Sequence, residues 1–326
     1  MLLVLAGAAC QASDTVDADF VVYDERFHDL IKKGSKVEVL ANDFGWAEGP
    51  VWASSLDALL FSDLAADQIY RWDTTNGLSV FLSPSGPSPD DKPRTWGGSN
   101  GLAIDAEGRL LLAQQGRRSL ARMGAPLDDP APDHDVLVTK FAGSSINSPN
   151  DLVVHRSGDV YFTDPPYGLA GFENSPDIEL GFFGVFRLSP SGELSLVTDE
   201  LKKPNGIALS PDQSTLYVSN SEAGSERIIA IPLDDEDGPG QSSVFFDASD
   251  LSEDGEGSTD GMTVHPSGFL FVSIPGGMAV LSPAGELLGK ISLGQVTNMT
   301  LDTSSSKLYV TTPNRLLRID IQNVSP

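Results

Sequence analysis

A single cysteine, Cys10, means that no intramolecular disulfide can form and no thiolate metal site exists. Histidine is scarce too: four residues, His28, His134, His155 and His265, are dispersed along 326, so no zinc-type His/Cys cluster is present. Basic residues are outnumbered, 21 Lys and Arg against 46 Asp and Glu, for a formal net charge of -25. Such a chain repels a phosphate backbone, which excludes nucleic acid as a partner. The charge gives a well-hydrated surface and leaves carboxylates to bind cations. Beyond the N-terminus no apolar run is long enough to cross a membrane. No Gly-rich loop follows a strand into a helix, so no nucleotide cofactor is implied.

The first residues, Met1 to Cys10, are apolar and small, and a polar stretch runs from Gln11 to Asp19. This pattern predicts an export signal, with Cys10 as a lipidated anchor, and a periplasmic or membrane-anchored protein; a frayed apolar terminus on a cytoplasmic protein is the other reading. Residues 1–19 are accordingly assigned to a signal and tether, and residues 20–326 to one domain.

What is abundant is glycine (32) and proline (22), which fits many turns between short strands. Self-comparison shows one phrase repeated: a small polar entry, an apolar strand, a tight turn and a second apolar strand. It begins at Glu48, Asn100, Asn150, Asn205, Asp260 and Asn298, at spacings of 52, 50, 55, 55 and 38 residues. Further strand-like runs lie between the copies, such as Gly184-Val185-Phe186-Arg187-Leu188. Each unit therefore holds about four strands, the content of one propeller blade. The expected fold is all-β: a six-bladed β-propeller with four antiparallel strands per blade. Lys36-Val37-Glu38-Val39-Leu40 precedes the first phrase and is expected to complete the last blade and close the ring. His28 and His134 are placed outside the repeats, and His155 and His265 in turns.

The first strand of each blade lines a propeller's central channel, so the six entry residues should encircle the axis. All six carry a side-chain oxygen, and two are carboxylates, Glu48 and Asp260. Asn-Gly and Asp-Gly are also common turn signals, but each repeat already has a separate hairpin turn, such as Glu107-Gly108 or Ser267-Gly268. An oxygen-only cage with two negative charges suits a hard divalent cation such as Ca²⁺. Gly97-Gly98-Ser99-Asn100-Gly101 matches a nucleophile-elbow pattern, but a polar loop precedes it and a strand follows, so Ser99 is not expected to act as a nucleophile.

These phrases resemble the gluconolactonase and regucalcin (senescence marker protein-like) family of calcium-dependent propeller lactonases. The resemblance rests on Trp46-Ala47-Glu48-Gly49-Pro50-Val51-Trp52, Leu60-Phe61-Ser62-Asp63, Asn147-Ser148-Pro149-Asn150-Asp151-Leu152, Tyr161-Phe162-Thr163-Asp164-Pro165-Pro166-Tyr167-Gly168, Pro204-Asn205-Gly206, Asp260-Gly261-Met262 and Pro275-Gly276-Gly277. It implies metal ligands at Glu48, Asn150, Asn205 and Asp260, a general base at Asp260, and substrate-pocket positions at Asn100 and Tyr167. It implies Ca²⁺, with Zn²⁺, Mg²⁺ or Mn²⁺ as other divalent cations, and a small-molecule lactone, most simply a sugar lactone, as substrate. Many members carry Glu-His-Gly where this chain has Gln114-Gln115-Gly116, a departure that bears on the substrate. The implied reaction is lactone hydrolysis, with the cation polarising the carbonyl and either Asp260 or a metal-bound hydroxide activating water. A phosphotriester or aryl-ester hydrolase, or a non-enzymatic propeller binding a sugar or a protein, are the competing readings.

Overall fold

The computed structural model describes residues 14–86, 97–234, 238–251, 255–302 and 306–322; Cys10 lies outside them. Six antiparallel sheets surround a channel. Their innermost strands are Ala47–Ala53, Leu102–Ile104, Leu152–Val154, Pro204–Leu209, Met262–Val264 and Asn298–Asp302, blades 1 to 6. Each touches the next, and blade 6 touches blade 1, so the ring is closed as expected.

The second strands explain why the repeat was visible. Leu59, Leu60 and Phe61 in blade 1 and Phe271 and Val272 in blade 5 are all fully buried, because a blade is covered on both faces by its neighbours. A strand buried on both faces reads as a continuous apolar run. The hairpin turns fall where expected: Gly108, Gly158 and Gly268 sit at positive φ between first and second strands. His155 and His265 cap these turns, with their Nδ1 atoms on Ser157 Oγ (2.7 Å) and Ser267 Oγ (2.5 Å).

His134 differs from expectation. It opens His134–Val138, the outermost strand of blade 2. Only Val138 of this strand is buried, so the continuous buried run that marks the second strands is missing there.

The N-terminal segment is used three times. Val37–Asn42 pairs with Arg315–Asp320 and completes blade 6, as the sequence predicts. Phe20–Val22 adds a fifth strand to blade 5, against Leu287–Ser292, and Thr15–Val16 adds a fifth to blade 6, against Val37–Asn42. Between them a one-turn helix, Phe27–Leu30, buries Phe27 and Leu30 in the core shared by blades 5 and 6.

Glycines at the channel are spacers between blades. A Cβ on Gly206 would stand 2.3 Å from the Asp260 carbonyl oxygen, and one on Gly261 would stand 2.1 Å from Asn298 Cγ. The Asn-Gly and Asp-Gly pairs are thus not turns: glycine lets the next inner strand approach. Gly206→Ala should destabilise by about 3 kcal/mol or more, because the obstacle is backbone and cannot rotate away; a denaturant melt within about 0.5 kcal/mol of wild type would contradict this.

Candidate active site at the channel mouth

The starts of the inner strands enclose a cavity of about 250 Å³. Glu48, Asn100, Asn150, Asn205 and Asp260 all line it, and so does Tyr167. All the residues implied as ligands or pocket positions are therefore together in one place.

Asn298 is not among them. In blade 6 the amide bonding with the second strand starts one residue earlier, at Thr297, whose N–H bonds Thr311 O (2.9 Å) as that of Asn150 bonds Thr163 O (2.9 Å). A slip of one residue carries a strand side chain to a different position. Asn298 thereby occupies the layer below, where its Nδ2 donates to Asp151 Oδ2 (3.3 Å) and its Oδ1 accepts from Met299 N (2.8 Å). Thr297 turns its hydroxyl to Ala47 O (2.7 Å). Five of the six entry residues face the cavity, not six.

The site residues are held by their neighbouring blades. Hydroxyls near the end of second strands donate to the carbonyl of the next blade's entry residue: Ser62 to Asn100 O (2.8 Å), Thr163 to Asn205 O (2.7 Å) and Ser219 to Asp260 O (2.7 Å). The recurring Ser or Thr at this point of the repeat (Ser62, Thr163, Ser219, Ser273, Thr311) was a legible signal that sequence reasoning passed over. Asp260 N donates in turn to Ser273 Oγ (2.6 Å). Such bonds fix the backbone of the cavity wall without using the cavity-facing groups.

The electrostatics of the cavity are strained. Glu48 is buried, and Asp260, part-buried, lines the cavity. Burial, above all, pushes both carboxyls well up from their usual range. Repulsion by Glu48 and then Asp151 adds to the rise at Asp260. Asp151 lies one layer down, and burial raises it to about 6, against hydrogen bonds from Leu152 N (2.9 Å) and Asn298. Among the described residues neither Glu48 nor Asp260 has an ion-pair partner, and three carboxylates share one low-dielectric region.

Amides complete the wall. Asn205 Nδ2 donates to Ser221 Oγ (2.9 Å), which leaves Oδ1 for the cavity. Asn100 Nδ2 donates to Gln115 Oε1 (3.0 Å), while Asn100 Oδ1 and Gln115 Nε2 are buried with no protein partner. Gln115, in the segment that departs from the family pattern, therefore faces the same cavity. Ser148 Oγ bonds Pro165 O (2.5 Å) and accepts from Gly168 N (2.9 Å), anchoring the turn that brings Tyr167 over the cavity.

Sequence reasoning missed an upper tier. Trp46, Lys203, Ser258 and Gln295 also line the cavity, and each lies two residues before a channel-mouth position: Glu48, Asn205, Asp260 or Thr297. Extended backbone returns side chains to the same side every second residue, so counting back two from Glu48, Asn205 and Asp260 would have found Trp46, Lys203 and Ser258, whereas Gln295 lies three before Asn298 and needs the blade 6 register.

Ser99 is excluded by geometry. It is fully buried, its Oγ lies 3.1 Å from Ser62 Oγ, and its N–H bonds Ser85 Oγ (2.9 Å). Ser99→Ala should keep kcat within about threefold of wild type in a hydrolysis assay, whereas loss of activity in a folded variant would restore it as a nucleophile.

Fold and cavity together define a class: a six-bladed propeller whose axial mouth is lined by oxygen donors around two carboxylates. The family model for the SMP-30/Gluconolactonase/LRE-like region matches residues 46–314, and the chain belongs to this family. A gluconolactonase of Zymomonas mobilis is 37% identical over 305 residues, 91% of this chain and 84% of that one. The solved structure of a gluconolactonase from Xanthomonas campestris superimposes with a TM-score of 0.81 at 30% identity, covering 95% of this chain and 97% of that one. A pentonolactonase of Haloferax volcanii is 25% identical over 273 residues, 81% of this chain and 80% of its own length.

Proposed function

We propose that the protein is a divalent-cation-dependent lactonase that opens a sugar lactone by hydrolysis. The observation that carries this reading is the pairing of Glu48 with Asp260 at one end of the channel, with no positive partner among the described residues. The activities printed for the relatives, gluconolactonase and pentonolactonase, point the same way.

The donor set fits a hard cation. Glu48, Asn150, Asn205 and Asp260 offer oxygen only, and two carboxylates balance two positive charges. Among the described residues no three His, Cys, Asp or Glu side chains converge as a metal cluster, so amide oxygens have to complete the shell. Ca²⁺ suits such a mixed carboxylate and amide set, whereas Zn²⁺ favours nitrogen and sulfur.

When bound, the cation supplies Lewis acidity toward the lactone carbonyl and balances the charge that builds on its oxygen. Asp260 takes the proton of the attacking water, and Asn205, hydrogen-bonded to it, fixes its orientation. The proton then passes to the ring oxygen as the C–O bond breaks, giving a hydroxy acid. Asn100 and Gln115, with one open acceptor and one open donor, position the substrate. Tyr167 closes the cavity on the blade 3 side, its hydroxyl facing Ser221 and Asn205; burial pushes its pKa up, so it stays a neutral donor. The deciding assay is hydrolysis of five- and six-membered sugar lactones with excess Ca²⁺ and with chelator. Equal rates in both, at or near the uncatalysed rate, would refute the reading.

A further inference from the structure

Among the described residues Lys203 is the only lysine or arginine lining the cavity, in a chain with 21 of them. Its position is fixed at both ends. Its N–H bonds Asn220 Oδ1 (3.1 Å), its carbonyl accepts from Ser221 N (2.9 Å), and Asn205 follows two residues later. Its Nζ lies 3.2 Å from Glu222 Oε2 and 3.8 Å from Glu173 Oε1. Glu173 belongs to the long blade 3 connection, between Val160–Asp164 and Gly184–Leu188, that also carries Tyr167. The three charged groups thus bridge blade 4 to the loop over the cavity, and beside them a second hollow of about 340 Å³ shares Lys203, Glu173 and Glu222.

The charge of this trio decides what it can hold. A lone lysine at a cavity mouth suits phosphate or carboxylate, but here two glutamates flank one ammonium, and the net charge is negative. A hydroxyl group both donates and accepts, so it fits an ammonium beside a carboxylate. The blade 2 wall of the same cavity repeats the pattern with neutral groups, Gln115 Nε2 as donor and Asn100 Oδ1 as acceptor, both buried and unpartnered. We infer that Lys203, braced by Glu222 and Glu173, is a specificity residue that holds ring hydroxyls and restricts the enzyme to uncharged, polyhydroxylated lactones. This rests on the lactonase reading and adds the selecting residue to it.

The experiment compares glucono-δ-lactone, δ-valerolactone and 6-phosphoglucono-δ-lactone on wild type, Lys203→Met and Glu222→Gln, with thermal melts to confirm folding. Loss of one hydrogen bond to a charged group is worth roughly tenfold or more in affinity. Lys203→Met should raise KM for glucono-δ-lactone about tenfold with kcat changed less than about threefold, while kcat/KM for δ-valerolactone, which has no hydroxyl to hold, moves less than about threefold. Wild type should use the phosphorylated lactone at least about tenfold less well than the unphosphorylated one, and Glu222→Gln should narrow that gap by removing a repelling charge. The assignment is overturned if Lys203→Met impairs the hydroxylated and plain lactones alike, if it impairs neither, or if wild type prefers the phosphorylated substrate. A wild type that hydrolyses none of the three lactones removes the lactonase reading itself, and the assignment with it; any of the former outcomes leaves that reading standing.

Discussion

Asp260→Asn is expected to lower kcat for a sugar lactone by about 10² to 10⁴-fold at saturating Ca²⁺, the usual range for loss of a general base. The substitution keeps an oxygen near the same place and removes only the charge and the basicity. Folding should not suffer. Burial and two neighbouring carboxylates already hold Asp260 well above its usual pKa, so in the absence of a cation its ionised form opposes the folded state. In chelator the variant should therefore melt at or above wild type; with Ca²⁺ it should gain less than wild type, because the cage has lost one of two charges. Full activity in Asp260→Asn would remove Asp260 from the chemistry. Lost activity accompanied by a much lower melting temperature in chelator would make its role structural.

Excess Ca²⁺ should raise the melting temperature, and by more at pH 8 than at pH 5. Burial holds Asp151 up at about 6 in the folded protein, well above the usual carboxylate range, and Glu48 and Asp260 are shifted in the same upward direction. A carboxyl with a raised folded pKa favours folding most at pH values below its unfolded pKa, where both states keep the proton. That advantage is lost as pH rises through the folded pKa. Without metal, these groups should make the protein progressively less stable from about pH 4 upward, through about 6 for Asp151 and beyond for the other two. A divalent cation competes with the same protons and removes the repulsion. At 100 times its Kd it adds about 2.7 kcal/mol, or about 4 °C for a domain of this size. Melts at pH 5, 6.5 and 8 with Ca²⁺ and with chelator test this. Superimposable curves at all three values, with no metal found by elemental analysis, would contradict a cation site at Glu48 and Asp260.

How much of this was legible depended on burial. The inner and second strands of each blade are covered on both faces, so runs such as Leu59-Leu60-Phe61 and Leu270-Phe271-Val272 stood out and recurred at nearly constant spacing. The entry residues were legible because one channel position repeats once per blade. The misplacement of Asn298 shows the limit of that logic. Thr297 and Asn298 both carry a side-chain oxygen, and only the hydrogen bond of Thr297 N to Thr311 O tells which of them stands at the mouth. Lys203 and Gln295 left no composition signal, since a cavity wall two residues upstream needs no shared residue type. The strands Thr15–Val16 and Phe20–Val22 are two and three residues long, too short to show a period, and the second pairs with Leu287–Ser292 far along the chain.

The way the ring is fastened has a consequence for how the chain is made. Arg318 bonds Glu38 across a sequence separation of 280 residues, and the pairing of Val37–Asn42 with Arg315–Asp320 has the same span. At about 5–20 residues per second, a ribosome needs roughly 15 to 60 seconds between making the two halves of that seam. Throughout that interval the first blade has no neighbour on one side, and the edge of Val37–Asn42 is open to the wrong strand. The circle therefore cannot close before Arg315–Asp320 has been made, and the early blades must stay soluble until the last one arrives.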